Sequence, residues 1–594
     1  MNLDIISKKK GKQLKIVYSI LIIICILYKI IYARGTTYGF ADEVGYWGTA
    51  ATFAGYDWSG VMSNISYYSF IYAFLLTPIL KLNIQPIGAY QLGLLLNLLM
   101  LVVVFYISCY VMETMLNEIP NYLIITACFT ATLYPAYIFY SQNTSGEILY
   151  LLLYWIAIYT LIQYISNSST INVILFIVVI VLNFAAHMRS ISILLAGIGA
   201  IIIINMLKKK KSHLLIMLVT IPVLLYIFFV YKNHIQDRIY LQNEFISHND
   251  ISGQISRSAI FFTVEGIKSI INMILGRMFY LTNATLFLIV LGVIVVGVSL
   301  IYTKIDNRNI LIKRKYTIVA LFMIVSTIMS ICVSAAFVQS PGNHIHYLYY
   351  GRYTEYTIMP LIILGLLSFK GLYEEKKYFL IAIIDIITCR YLYLYMKKNG
   401  VESDAVHPNT SGTAGILSFV DNIGECEKAT FLLVLITLVI ICMCVLIRNI
   451  RKKVLSHVVI MWLIASIWML ASYKYIGLSI HSEEILGLHQ EYEETAKIIK
   501  ENNVNKNDVA MIYDGNWRGA RISHYLQFKI PNINLYHLLT SDDLVLIKEN
   551  NEFKYLILGT YLMNETNLIN NIENEYSIIY SNNQLRIYER MKEK

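Results

Sequence analysis

The chain has 594 residues, 57% of them apolar and only 14% charged, with a mean hydropathy of +0.58. Its apolar residues fall in long unbroken runs, which excludes a disordered chain or an ordinary soluble domain and defines a polytopic helical membrane protein. The net charge of +10 does not point to nucleic acid, because Lys and Arg cluster in short loops between apolar runs, the pattern that marks cytoplasmic loops.

The first apolar run, 15–34, follows Lys8-Lys9-Lys10 and lacks a small-residue cleavage site. It reads as a retained first helix with a cytoplasmic N-terminus. An external first loop, 35–87, follows, and it opens with adjacent carboxylates in Phe40-Ala41-Asp42-Glu43-Val44-Gly45-Tyr46-Trp47. Charges at a lipid boundary are costly unless they line a wet or protein-enclosed cavity, so Asp42 and Glu43 are candidate catalytic residues. Carboxylates also cap helix N-termini. A cap, however, does not account for the accompanying Tyr46, Trp47, Tyr56, Asp57 and Trp58, whose aromatic faces beside acids suit sugar rings.

Basic clusters fix the topology. Lys208 to Lys211, Lys304 to Lys315, Lys370 to Lys377 and Arg448 to Lys453 are assigned to the cytoplasm, so an odd number of crossings must separate the first loop from Lys208. Six apolar segments lie between them: 67–82, 88–112, 121–140, 148–166, 171–187 and 190–206. The first is short and carries Pro78 and Lys81, so it is expected to lie at the interface or re-enter instead of crossing. Further spans are expected near 213–231, 283–304, 315–338, 355–370, 377–396, 429–447 and 456–477. The total is about thirteen.

This parity puts several further candidates on the external side with Asp42. Glu147 begins a span after Ser141-Gln142-Asn143-Thr144-Ser145-Gly146 and either binds substrate or sits on a helix dipole. His187-Met188-Arg189 makes a tight turn, where Arg189 either snorkels or holds a phosphate with His187. The segment His344 to Glu355 contributes Arg352, Tyr353 and Glu355 before a span carrying Pro360. Arg352 and Glu355, at i and i+3, would neighbour each other on a helix. His344 and His346, at i and i+2, would point apart, which argues against a histidine metal site.

Residues 1–477 thus form the transmembrane module. Residues 478–594 alternate in pattern and regain charge, as expected of a small extracytoplasmic α/β domain with a helix near Glu491 to Glu501 and strands at 509–513, 533–538, 554–559 and 577–580. It carries no Gly-rich phosphate fingerprint. Seven of the eight Cys lie inside apolar runs; Cys426 alone lies in a polar loop, so no disulfide framework or zinc spacing arises.

Asp42-Glu43-x-x-Tyr46, Asp57-Trp58, Glu147, and Arg352-Tyr353 with Pro360 together resemble the GT-C class of integral-membrane glycosyltransferases. The likeness is to the lipid-linked-sugar branch containing protein O-mannosyltransferases and lipid A aminoarabinose transferases. It implies a cell-membrane enzyme with its site outside, and the abundance of Ile, Lys, Asn and Tyr with only 9 Pro resembles the product of an AT-rich bacterial genome. Such an enzyme moves a sugar from a polyprenyl-phosphate donor to a hydroxyl of an envelope glycan, lipid or protein, with inversion and no required cofactor. Three carboxylates leave a divalent metal open. The aminoarabinose branch has a Lys-Pro-Pro run where this chain has Tyr67-Tyr68-Ser69-Phe70, which shifts the donor-phosphate role toward Arg189 and Arg352. In this reading Asp42 is the base, while Glu43, Glu147, Tyr46, Trp58, Tyr353 and Glu355 contact substrate. A lipid-linked glycan flippase or other transporter is the rival class, but no internal repeat is visible. A polysaccharide polymerase or ligase would usually lack the first-loop acids.

Overall fold

The computed structural model describes residues 2–32, 41–63, 65–116, 119–240, 262–301, 312–337, 345–368, 375–401, 406–419, 426–451, 454–481, 483–501, 509–513, 517–533, 535–539, 553–562, 566–583 and 585–591. Phe40, the basic stretch 304–311 and His344 lie outside them. Among the described residues, eight helices are long and apolar enough to cross a membrane, or ten if two bent pairs each count as one span. Shorter apolar helices, Phe70–Lys81, Thr170–Ala186 and Glu355–Ser368, accompany them, and Asn2–Tyr32 covers the first apolar run. The protein is a helical, multi-pass membrane protein with a small C-terminal sheet.

Helix boundaries follow local chemistry. Ser69 starts Phe70–Lys81 by accepting from the Ile71 amide, and Ser169 starts Thr170–Ala186 by accepting from the Asn172 amide. The expected span 121–140 is instead two helices, Asn121–Thr132 and Pro135–Ser141, bent by 60°. Pro135 has no amide to donate and forces Tyr134 into an extended backbone (φ −58°, ψ 133°), so a new helix starts there.

The second bent pair was not expected. The segment 264–284, which lies almost wholly between the expected spans 213–231 and 283–304, is the helix Val264–Ala284, and it turns by 101° into Leu288–Ile301. Leu286 and Phe287 make the corner with left-handed backbone, φ 52° and 65°. A side chain there costs about 1–2 kcal/mol per residue. Bonds from the Phe287 amide to the Thr282 carbonyl (2.8 Å) and from the Leu288 amide to the Thr285 carbonyl (3.0 Å) hold it.

Leu288–Ile301 and Glu355–Ser368 cross on reciprocal glycines. A Cβ at Gly292 would collide with the Leu361 carbonyl, and one at Gly365 with the Leu288 carbonyl. Small residues let apolar helices approach backbone to backbone, where dispersion replaces the hydrophobic drive that lipid removes. That crossing anchors the helix whose entry turn carries Arg352.

The C-terminal part has a five-stranded sheet: β1 Val509–Tyr513, β2 Tyr536–Leu539, β3 Tyr555–Gly559, β4 Tyr576–Ser581 and β5 Leu585–Arg590, in the order β2-β1-β3-β5-β4. β1 runs parallel to β2 and β3, whereas β5 is antiparallel to β3 and β4. Alternation splits its faces. Ala510, Ile512, Leu556 and Leu558 pack with Leu568 and Ile572, while Val509, Met511, Ile557 and Ile587 belong to the main core of the chain.

Candidate active site

The site assembles at the ends of several helices. Asp42 and Glu43 occupy the first turn of Ala41–Ala54, and a helix places consecutive side chains about 100° apart. They therefore meet different partners. Asp42, its side chain 21% exposed, accepts from the Tyr68 hydroxyl at 2.6 Å and pairs with Arg352. Glu43 turns inward and is fully buried; one oxygen accepts from the Thr144 amide (2.6 Å), the Thr144 hydroxyl (2.8 Å) and the Tyr90 hydroxyl (3.0 Å). Burial pushes the Glu43 carboxyl up to about 7, against the opposing pull of those hydrogen bonds.

Glu147 opens the helix Glu147–Ser166, and one of its oxygens receives both Arg352 Nε (2.6 Å) and Arg189 Nη2 (3.2 Å). Arg352 thus bridges Asp42 and Glu147, and Glu147 bridges Arg352 and Arg189. Two carboxylates and two guanidiniums form one largely buried chain of alternating charge. Arg189 lies over the rings of Tyr353 (4.4 Å), Tyr150 (4.9 Å) and Tyr356 (5.8 Å), aromatic faces that attract a cation. Its Nε is buried with no hydrogen bond.

The backbone around Arg352 is fixed from a distance. The Gly351 and Arg352 amides both donate to the Asn409 carbonyl, at 2.9 and 3.3 Å. His187 ends Thr170–Ala186 in extended conformation, and its Nδ1 accepts from the Arg189 amide at 3.2 Å. With Nδ1 as acceptor the ring proton sits on Nε2, and the imidazole fixes the turn that presents Arg189.

The remaining candidates stand at different depths. Tyr46 bonds Tyr150 hydroxyl to hydroxyl at 2.5 Å, and Tyr353 packs on Arg189, so both border the charged chain. Trp58 is buried away from it and donates to the Pro531 carbonyl at 3.0 Å. Glu355 does not pair with Arg352. Its carboxylate accepts from Tyr280 (2.5 Å), Tyr140 (2.5 Å) and Tyr134 (3.1 Å) in a separate buried nest. His346 stacks on His407 with ring centroids 3.9 Å apart. Among the described residues no three His, Cys, Asp or Glu side chains gather as metal ligands.

Sequence reasoning missed Tyr68, Tyr150 and Thr144. Tyr150 was accessible as the i+3 neighbour of Glu147, and Tyr68 occupies the stretch where the Lys-Pro-Pro run is replaced. Thr144 carried no signal, because only the fold brings it to Glu43.

An apolar groove of about 330 Å³ is lined by Phe70, Phe74, Val181, Leu224, Phe228 and Tyr231 among others, and its wall residues Phe70 and Ala185 stand two positions from Tyr68 and His187. It begins at the foot of the helix that follows Tyr68. The lysines gather at the opposite helix ends: Lys208 Nζ donates to the Ile165 carbonyl (2.7 Å), and Lys313 Nζ to the Thr114 carbonyl (2.8 Å). The acids and arginines of the site occupy one end of the bundle.

Helix order and the C-terminal sheet together give an ArnT-like membrane fold. Among solved structures, ArnT from Cupriavidus metallidurans bound to undecaprenyl phosphate is similar along nearly the whole chain, with a TM-score of 0.52, 11% identity, and coverage of 97% of this chain and 98% of that one. ArnT in the apo state gives 0.48 and 10% identity over 96% and 97%. No family model matches the sequence, and no curated protein matches it.

Proposed function

We propose that the protein is an inverting glycosyltransferase of the cell membrane, moving a sugar from a polyprenyl-phosphate donor to a hydroxyl of an envelope glycan, lipid or protein. The observation that carries this reading is the convergence of Asp42, Glu147, Arg189 and Arg352, with an apolar groove walled two positions from Tyr68 and His187. A prenyl tail suits the groove, and its phosphate suits a pair of guanidiniums, whose planar forks match phosphate oxygens. That the similar fold of ArnT was solved with undecaprenyl phosphate supports the same donor class here.

Arg352 is engaged by Asp42, and a phosphate that binds this guanidinium exchanges places with that carboxylate. The exchange leaves Asp42 free to accept the proton of the acceptor hydroxyl. The acceptor oxygen then attacks the anomeric carbon as the bond from that carbon to the phosphate oxygen breaks, and configuration inverts. The departing polyprenyl phosphate carries the negative charge, which Arg352 and Arg189 stabilise. General-base help of this kind is worth roughly 10²–10⁴-fold. Glu147 keeps both guanidiniums in place, and Tyr46 and Tyr353 wall the sugar side. The arginines supply the charge that a divalent ion would otherwise supply, so no cofactor is required. The basic loops at the far helix ends support a site on the outer face.

The test is transfer by membranes containing wild type, Asp42→Asn or Arg352→Ala, offered a panel of radiolabelled polyprenyl-phosphate sugars. Transfer by wild type and its loss in both variants at equal protein level supports the reading. Undiminished transfer by Asp42→Asn removes the proposed base.

A further inference from the structure

Among the described residues, a C-terminal side chain packs against the active-site helix. Phe528, near the end of the helix Trp517–Lys529, is buried and meets three rings edge to face: Trp47 at 5.2 Å, Trp58 at 6.3 Å and Tyr90 at 6.3 Å. Two of these rings hold the surroundings of Glu43. Tyr90 donates to the Glu43 carboxyl directly, and Trp47 donates to the Thr144 hydroxyl (2.8 Å), which donates to Glu43. The third, Trp58, ties itself to the Pro531 carbonyl three residues beyond Phe528.

On its other side Phe528 lines a cavity of about 300 Å³ in the seam between this helix and the first loop, with Tyr56, Asn83, Lys500, Lys529 and Asn532 among its walls. Ile79, Leu80, Ile84 and Ile530 supply apolar wall beside them, and Lys529 is paired with Glu493. Phe528 therefore stands between this cavity and the rings around a buried carboxyl whose second oxygen, Oε2, has no hydrogen-bond partner.

We propose that Phe528 is a positioning residue: the C-terminal domain inserts it as a seal that keeps seam water from Glu43 and fixes the helix presenting Asp42. Its structural half stands independently of the transfer reading; its catalytic consequence rests on that reading. The titratable groups facing Glu43 are Asp42 on its own helix, Tyr72 on Phe70–Lys81 and Tyr90 on Pro86–Met115. The strongest of these influences come from the membrane part of the chain, and Phe528 reaches the carboxyl through packing.

The experiment follows the Glu43 carboxyl by infrared spectroscopy of the purified full-length protein across pH, with Glu43→Gln as the subtraction that isolates its band. Phe528→Ala is expected to move the midpoint down by about one to two units as water reaches the group, while Phe528→Leu, which keeps the seal apolar, stays near wild type. In the transfer assay Phe528→Ala is expected to lower kcat with donor KM little changed, and Phe528→Leu to rescue it. If Phe528→Ala does not fold, Trp58→Phe, which removes the bond to Pro531, is expected to shift the midpoint in the same direction. An unmoved midpoint in a folded Phe528→Ala or Trp58→Phe protein overturns the proposal. Because the infrared readout needs no substrate, its failure is distinguishable from failure of the transfer reading.

Discussion

Arg352 holds Asp42 through Nη2 and Glu147 through Nε, so carboxylates 310 and 205 positions away in the chain share one guanidinium. The side chains are 12%, 21% and 5% exposed respectively, so their attraction is only weakly screened by water. Removing the shared cation leaves Asp42 without its guanidinium and Glu147 with Arg189 alone.

Arg352→Ala is therefore expected to lower stability as well as activity. Breaking a buried ion pair by deleting one partner costs about 3 kcal/mol, readable as a lower thermal midpoint in detergent. Arg352→Lys restores the charge but not the fork that reaches both acids at once, so it is expected to recover stability in part and transfer hardly at all. Equal activity of Arg352→Lys and wild type would remove the bidentate role.

Tyr68 and Asp42 give a graded test of the base. Asp42→Asn is expected to lower kcat by roughly 10²–10⁴. Tyr68→Phe removes one hydrogen bond from the same carboxylate, worth about 1 kcal/mol, and is expected to lower activity by roughly fivefold. Steady-state rates at saturating donor would separate the two.

Stability is expected to fall as pH rises through the range in which Glu43 titrates. Its folded value, about 7, lies above the ordinary 4.5, so folding takes up a proton between those values. The folded state is then penalised progressively from pH 4.5 to 7, by about 3 kcal/mol in all, and the penalty is constant above. Glu43→Gln is expected to flatten this slope in a plot of thermal midpoint against pH. An identical slope in the variant would show that other groups produce it.

The reciprocal glycines make a packing prediction far from the chemistry. Gly292→Val and Gly365→Val each drive a branched side chain into a backbone carbonyl of the neighbouring helix, and overpacking of this kind costs about 1–3 kcal/mol. Both are expected to lower the thermal midpoint, whereas Gly199→Val, where a Cβ meets nothing within 4 Å, is expected to leave it unchanged.

Much of the membrane architecture was legible because bilayer thickness and loop charge are read directly from apolar runs and lysines. The Tyr67–Leu82 segment illustrates it: its brevity, Pro78 and Lys81 singled out what is a short twelve-residue helix, Phe70–Lys81. The corner at Leu286-Phe287 was not legible, since leucine and phenylalanine carry no turn signal and only the surrounding packing imposes their left-handed backbone. Arg352 and Glu355 mark another limit. Their spacing implied a helical pair, but Arg352 sits in the turn before the helix begins and reaches across the fold, leaving Glu355 to three tyrosines. The final strand, Leu585–Arg590, was overlooked although its alternation was visible, and β2 lies a few residues beyond the expected 533–538. Trp58 was read as a sugar platform from its aromatic neighbours, and no local pattern could have announced its bond to Pro531.

The most direct measurement is the affinity of a polyprenyl phosphate for purified wild type, Asp42→Asn and Arg352→Ala. If the phosphate takes Asp42's place on Arg352, Arg352→Ala binds at least tenfold more weakly, while Asp42→Asn, relieved of the competing carboxylate, binds as tightly as wild type or tighter. Equal weakening in both variants, or undiminished binding by Arg352→Ala, would contradict the exchange on which the proposed reaction depends.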